Sequence, residues 1–359
     1  MANQEVHSRR QPLQVEIEAN LAYEFLMSIC AFSDVESYAT YEVGKAWFEA
    51  ARAKASSDLI DTIQQFSFHS TEVWEHMLAI VFDCPPPRNV PTLLAFLEQL
   101  DPLELRLHQL GYYDRQHRRA TPPDIIYHAA QGDSEAQKTL IKTSFPNDAN
   151  WQRTLRWLLS LDMVATKNVL LDILSRWYHE VFQEQEAAIL PILERDVEAK
   201  RALAATVSPE QLIELATGLE YIPGPGIERI VLIPSYILRP WNADAERGNT
   251  MIFCYPVAEE SIIADPDAPP TRLVNLTKAL ADERRLRILK KLSTDSYTLQ
   301  ELAEEFNVAK TTMHHHLITL RSAGLIRMRT TDKRYSLRPD MIESAGELLE
   351  RYLFGTRRK

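Results

Sequence analysis

Apolar and polar residues follow two periods along this chain, and the switches between them predict its elements. Near the start, Leu13, Val15 and Ile17 alternate with Gln14, Glu16 and Glu18, the period-2 pattern of a short strand. A helical pattern follows from about Leu21 to Phe32, and helices then dominate. Asp101-Pro102-Leu103-Glu104, Thr121-Pro122-Pro123-Asp124 and Ser208-Pro209-Glu210-Gln211 each place a capping residue, a proline at the first helical position and an acid or amide at the third, and so mark three helix starts. Val164 to about Leu190 predicts a long core helix, with Leu170, Leu174, Trp177 and Val181 on its apolar side, ended or kinked near Pro191. The β-branched and aromatic runs Ile230 to Ile233 and Met251 to Tyr255 predict strands able to pair with each other or with the first strand. The fold class expected is mainly α, a large helical N-terminal domain closed by a small β-sheet.

The last quarter has a tighter pattern. Thr298-Leu299-Gln300-Glu301 is a capping box, in which the Thr side chain and a glutamate three residues later satisfy each other's backbone donors. It opens a helix, Leu299 to Phe306, whose Leu299, Leu302, Ala303 and Phe306 share a face. Asn307 tolerates the left-handed backbone that ends such a helix, and a second helix runs from Lys310 to Ser322. In it Met313, Leu317 and Leu320 point inward, with His316 beside them as a packing residue, which turns Thr311, His314, His315 and Ile318 outward. A basic ribbon follows, Leu325 to Thr330 and Lys333 to Arg338 about a turn at Thr331-Asp332. Helix, tight turn, helix and ribbon make a winged helix-turn-helix, whose second helix enters the major groove of DNA.

Charge sharpens that reading. The chain is acidic overall, at net −10. Yet Pro270 to Lys359 carries 18 Lys and Arg against 11 Asp and Glu, net +7, while the rest carries 22 against 39, net −17. A basic module gains affinity for DNA by releasing counterions, whereas a duplex repels the acidic remainder.

Ala279-Leu280-Ala281-Asp282-Glu283-Arg284-Arg285-Leu286-Arg287-Ile288-Leu289, Leu299-Gln300-Glu301-Leu302-Ala303, His315-His316-Leu317 and Leu320-Arg321-Ser322-Ala323-Gly324-Leu325-Ile326 occur in the order found in ArsR-type winged-helix regulators. Thr271 to about Phe354 resembles that family. The resemblance implies a homodimer on a palindromic double-stranded operator, acting as a repressor more readily than as an activator. It also implies that the last helix, with Met341, Ala345, Leu348, Leu349 and Tyr352 in an apolar stripe, pairs with a first helix bearing Leu273, Leu276 and Leu280 across the two-fold axis; the competing use of the stripe is docking against the chain's own N-terminal domain. Two departures stand out. Ala309 occupies the position where the family often has a capping serine, and Leu299 to Phe306 holds no cysteine for a metalloid. The C-terminal helix offers Glu343 and Glu347 but no histidine, so metal sensing is not expected at either family position. Nor do His314, His315 and His316 make a zinc site, since consecutive helical residues diverge by about 100°.

The residues expected at DNA are Lys310, Thr311, Thr312, His314 and His315 of the second helix and Arg327, Arg329, Lys333 and Arg334 of the ribbon, the latter touching backbone or minor groove. A chain of 359 residues exceeds one compact core. The domains expected are 1–257, a sensor; 258–270, an acidic, proline-bearing linker; and 271–359, the DNA module. Cys30, Cys84 and Cys254 lack paired spacing, Met1 to Pro12 lacks a signal core, and no apolar run reaches the length of a membrane span, so a cytoplasmic protein without disulfides is expected. No cofactor, catalytic residue or metal is predicted. His179-Glu180 begins like a zinc-protease motif, but Gln183 stands where its second histidine belongs. Trp47, Trp74, Trp151, Trp157, Trp177 and Tyr178 either fill a core or line an effector pocket. The leading expectation is a transcriptional regulator controlled by a small-molecule effector of the N-terminal domain. The alternatives are a protein-docking module there, or an enzyme fused to a DNA-binding domain.

Overall fold

The computed structural model describes residues 13–68, 70–146, 148–262, 269, 271–329, 332–339 and 345–354. Its strands are β1 (Gln14–Ile17), β2 (Leu219–Glu220), β3 (Arg229–Ser235), β4 (Ala243–Arg247), β5 (Thr250–Pro256), β6 (Tyr297–Thr298), β7 (Ile326–Arg329) and β8 (Arg334–Leu337). Helices make up most of the rest. The chain divides into two compact units that are not contiguous in sequence: residues up to Pro191 together with Pro223–Tyr255, and Ile192–Ile222 together with Pro256 onward.

In the first unit the sheet order is β1-β3-β5-β4, with β1 parallel to β3 and β4 antiparallel to β5. The three apolar runs read as strands therefore share one sheet. Helix Leu21–Ser33, begun by the Asn20 side chain accepting from Tyr23 N, buries every residue from Ala22 to Ser33. Total burial of a helix implies partners on all sides, and Ser28 Oγ accepts from Trp177 Nε1 at 2.8 Å. Glu24 Oε1 accepts from Tyr236 N at 3.0 Å and Ile237 N at 2.8 Å, tying the helix to the end of β3. Trp74, Trp151 and Trp177 are fully buried core residues. The free Cys30, Cys84 and Cys254 are also buried.

Two local expectations change. Asp101 and Ser208 cap their helices as read, but the third helix starts at Pro123 with Pro122 at its cap. Thr121 instead shares a hydrogen bond with Thr143 at 2.6 Å, because a tertiary partner competes with the local one. Pro191 does not end the long helical path. Met163–Trp177 passes through a π turn at Tyr178–Phe182 and a 3-10 turn at Gln183–Gln185, and a further helix, Glu186–Ala204, contains the proline. The backbone irregularity thus precedes Pro191, in the segment that also holds His179, whose Nδ1 pairs with Gln183 Oε1 at 3.2 Å.

In the second unit the sheet order is β2-β7-β8-β6, so the basic ribbon is part of four strands. The core is Leu276, Ala279, Ile288, Leu289, Leu292, Leu302, Ala303, Met313, Leu317, Leu320, Ala323, Leu325, Ile326 and Tyr335. Segment Ile192–Ile222, assigned from sequence to the N-terminal domain, supplies β2, which pairs in parallel with β7. The first residues of the expected linker are also fixed: Asp196 accepts from Ala258 N at 2.7 Å and Ser261 Oγ at 3.0 Å, and Arg195 donates to Ser261 O. Residues 263–268 and 270 of that stretch lie outside the described residues. Among the described residues no helix is long and apolar enough to cross a membrane.

Candidate nucleic-acid interface

The interface begins with the capping box. Thr298 Oγ1 accepts from Glu301 N at 3.2 Å, and Glu301 Oε2 accepts from Thr298 N at 2.8 Å, which sets the start of helix Leu299–Glu305. The turn closes through Asn307 N to Glu304 O and Val308 N to Ala303 O, with Asn307 at φ 49°. Helix Lys310–Ser322 then starts at Ala309, whose side chain makes no cap. Its inward stripe, Met313, His316, Leu317 and Leu320, is buried at the helical spacing i, i+3, i+4, i+7. Lys310, Thr311, Thr312, His314 and His315 are all exposed on the opposite side, as the periodicity required. Burying the stripe against a packed core fixes which face the helix presents. The outward His314 still loses enough water to hold its pKa below the usual value, burial leading and the charges of Arg321 and His315 adding to it.

The ribbon differs from its expected form. Arg327 Nη1 lies 2.9 Å from Glu214 and Arg329 Nε 3.3 Å from Glu220, while Arg329 Nη1 also reaches Asp332 at 3.2 Å. Arg338, further along, has its Nε 3.6 Å from Glu214. Glu214 sits on helix Pro209–Thr217 and Glu220 on β2, so the segment added to the wing brings the carboxylates that neutralise it. Arg334 grips both oxygens of Glu301 at 2.9 Å and donates to Ser296 O at 2.7 Å. The capping-box carboxylate therefore also staples the wing to the helix-turn-helix. Its pKa is held below the usual carboxylate range by the Thr298 backbone N–H first and by Arg334 next. Lys333 is exposed, with φ 54° at the ribbon turn; Thr330 and Thr331 lie outside the described residues.

The family model for bacterial regulatory proteins of the arsR family matches residues 282–327, which run from the cap of the helix before the capping box into β7. An uncharacterized HTH-type transcriptional regulator, YceK, of Bacillus subtilis (strain 168) is 41% identical over 71 residues, 19% of this chain and 71% of that protein. The chain belongs to the arsR family. No solved structure matches it. DNA-binding transcriptional regulation is the function that this membership carries.

Against the arsR pattern, the helices expected at a dimer axis divide. Leu273 and Leu276 are buried and Leu280 packs on the module's own core, because helix Thr271–Leu280 has one apolar stripe and spends it within the chain. Leu348, in helix Ala345–Phe354, also packs on that core. Leu349 and Tyr352 are exposed, as are Leu353 and Phe354, which sequence reasoning had not singled out. Met341 lies outside the described residues. Ala345 begins the helix.

A second group of functional residue types lies in the first unit, at residues that sequence reasoning did not name. Glu72 on helix Glu72–Glu75, His76 at its end and His117 on helix Arg115–Ala120 converge. The two Nε2 atoms are 3.1 Å apart, and Glu72 Oε2 is 3.9 Å from each. Burial, then the neighbouring His117, holds the His76 pKa below the usual histidine value, so its ring is neutral at neutral pH. The only local signal was Glu72-x-x-x-His76, one helical turn apart; His117, 41 residues on, belongs to no motif.

Proposed function

We propose that this arsR-family protein is a cytoplasmic, homodimeric repressor that binds a roughly palindromic operator and whose N-terminal domain senses a small-molecule effector. The observation that carries the DNA reading is the outward face of helix Lys310–Ser322, where Lys310, Thr311, Thr312, His314 and His315 are exposed together over a buried apolar stripe. Side chains of this kind reach base edges and phosphates when such a helix lies in the major groove. Lys333 and, after exchange of their carboxylate partners, Arg327 and Arg329 are proposed at adjacent phosphates, while Arg334 is given a scaffold role by its double grip on Glu301. Exposed Leu349, Tyr352, Leu353 and Phe354 support self-association through the last helix. A two-fold axis there sets paired recognition helices about 34 Å apart, one duplex turn. An effector that alters dimer geometry alters operator affinity, and the operator alters effector affinity by the same factor.

The test is binding to the DNA upstream of the protein's own gene across a salt series. A dimer with six or more phosphate contacts loses affinity steeply as salt rises, and Lys310→Ala lowers the slope of log K against log salt by about 1 per site lost. A slope unchanged by Lys310→Ala removes that residue from the contact set, and a full-length protein indifferent to duplex DNA removes the proposal.

A further inference from the structure

We infer that Glu72, His76 and His117 form a buried site for a single divalent transition metal of the zinc class, in the unit that does not carry the DNA interface. The inference is independent of the operator reading, because none of its residues belongs to the winged helix.

Two imidazole nitrogens and a carboxylate oxygen are the donor set that zinc shares with neighbouring first-row metals. Bonds of about 2.1 Å in a tetrahedral arrangement put donor atoms about 3.4 Å apart. The observed separations of 3.1, 3.9 and 3.9 Å bracket that value, so a shift of a few tenths of an ångström in each side chain closes the site. The donors come from two helices far apart in sequence, and the fold holds both rings from behind. His76 Nδ1 lies 3.3 Å from Gln109 O, a pure acceptor, so Nδ1 carries the proton and the Nε2 lone pair faces the site. His117 Nδ1 lies 3.4 Å from Ser144 Oγ, which itself accepts from Trp151 Nε1 at 3.0 Å. Such contacts to the far nitrogen orient metal-binding histidines.

Without a metal, the Ser144 hydroxyl donates to His117 Nδ1, His117 Nε2–H donates to His76 Nε2, and His76 Nδ1–H donates to Gln109 O. With a metal, the His117 proton moves to Nδ1 and is donated to Ser144 Oγ, leaving both Nε2 lone pairs for the ion. The two states differ by a tautomer of His117 and a hydroxyl rotation, with no net proton gained or lost. Loading therefore asks little rearrangement of a packed interior.

Three further features favour a cation. The charges that act most on His76, apart from its partner ring, are the carboxylates of Glu72 and Asp114, and both favour a cation there. Gly111, at φ 73°, gives up its side chain to the His117 ring, since a Cβ there stands 2.5 Å from that ring. A cavity lined by His76, His108, Gly111, Asp114 and Glu246 adjoins the site, with about 10 Å³ of free space, roughly one water. Within its lining, His108 is 2% exposed and its Nδ1 has no hydrogen-bond partner. Three protein donors, of which His76 also lines a water-sized space, match an ion that keeps one coordination position for water. Glu72, the partly exposed donor, gives the ion its way in from solvent.

The experiment uses the full-length, untagged protein, freed of metal by chelator and titrated with Zn²⁺ by calorimetry, with Co²⁺ as an optical probe. Expected are one tight equivalent per chain and the intense visible absorption of low-coordinate Co²⁺. Glu72→Gln, at a partly exposed position, is expected to weaken the tight equivalent more than Ser144→Ala does, and Ser144→Ala to cost about 10- to 100-fold. A variant with His314→Gln and His315→Gln keeps the tight equivalent, which separates the site from exposed histidines on the recognition helix. Near-ultraviolet circular dichroism of each metal-free variant shows that a lost equivalent is not a lost fold. Absence of a tight equivalent in the wild-type chain overturns the inference. So does an equivalent that survives both Glu72→Gln and His117→Gln, or one that disappears with the His314 and His315 changes.

Discussion

The recognition helix and the wing belong to one small module and both carry the residue types that bind DNA, yet the fold treats them oppositely. The helix buries Met313, His316, Leu317 and Leu320 and leaves its outward polar residues exposed. The wing holds Arg327, Arg329 and Arg334 against Glu214, Glu220 and Glu301. A cation already facing a carboxylate releases fewer counterions at a duplex than an open one, so counting basic residues overstates the wing. These partners are 22% to 36% exposed, and pairs of that kind contribute about 0–1 kcal/mol, so phosphate can replace carboxylate without unfolding the wing. On the proposed reading the helix presents a fixed face to DNA, whereas the wing makes its contacts by exchange.

The largest effect that separates the two regions is on stability. Leu317→Ala removes a side chain 1% exposed in the module's core and is expected to cost about 2–5 kcal/mol in urea unfolding. Arg327→Ala is expected to cost under about 1 kcal/mol. Similar losses for the two variants break the contrast between a packed helix and an adjustable wing. Next in size is the release of the wing: the double change Glu214→Gln and Glu220→Gln is expected to raise operator affinity several-fold and to steepen its salt dependence, as Arg327 and Arg329 turn to phosphate. Unaltered affinity and slope remove these arginines from the interface.

The smallest effect is on pH and isolates the helix, because arginines do not titrate in this range. His314 has a lowered pKa, through burial first, so it is neutral at neutral pH, and phosphate favours its charged form. Binding then takes up a proton only as pH falls below the ordinary histidine value of about 6.5, and affinity rises there. His314→Gln is expected to remove its share of that rise. A wild-type and variant pair that run parallel down to pH 5.5 take His314 out of the contact set.

Much of the DNA module was legible because its rules are local. Thr298 and Glu301 are three residues apart, Asn307 needs only its own backbone freedom, and the inward stripe of the recognition helix repeats within one element. The same holds for Asp101 and Ser208 as caps and for β1, β3 and β5 as strands. The missing parts are non-local. β2 is two residues long, too short for any periodicity, and exists because β7 offers it an edge. Leu273 and Leu276 carry an apolar stripe that reads equally as core or as dimer contact, and only packing tells which. Glu301 was read as a cap and Arg334 as a phosphate ligand, where the fold pairs them.

By itself, the order of residues determined where helices and strands begin, which face of the recognition helix turns outward, and that the module is basic while the remainder is acidic. These are consequences of spacing over a few residues and of summed charge, and they need no knowledge of what lies opposite. Tertiary structure alone decided which cations are neutralised, which apolar stripe stays exposed, and that Glu72, His76 and His117 meet. Each of those depends on atoms brought within a few ångströms from positions tens or hundreds of residues apart, a proximity that only the packed chain creates.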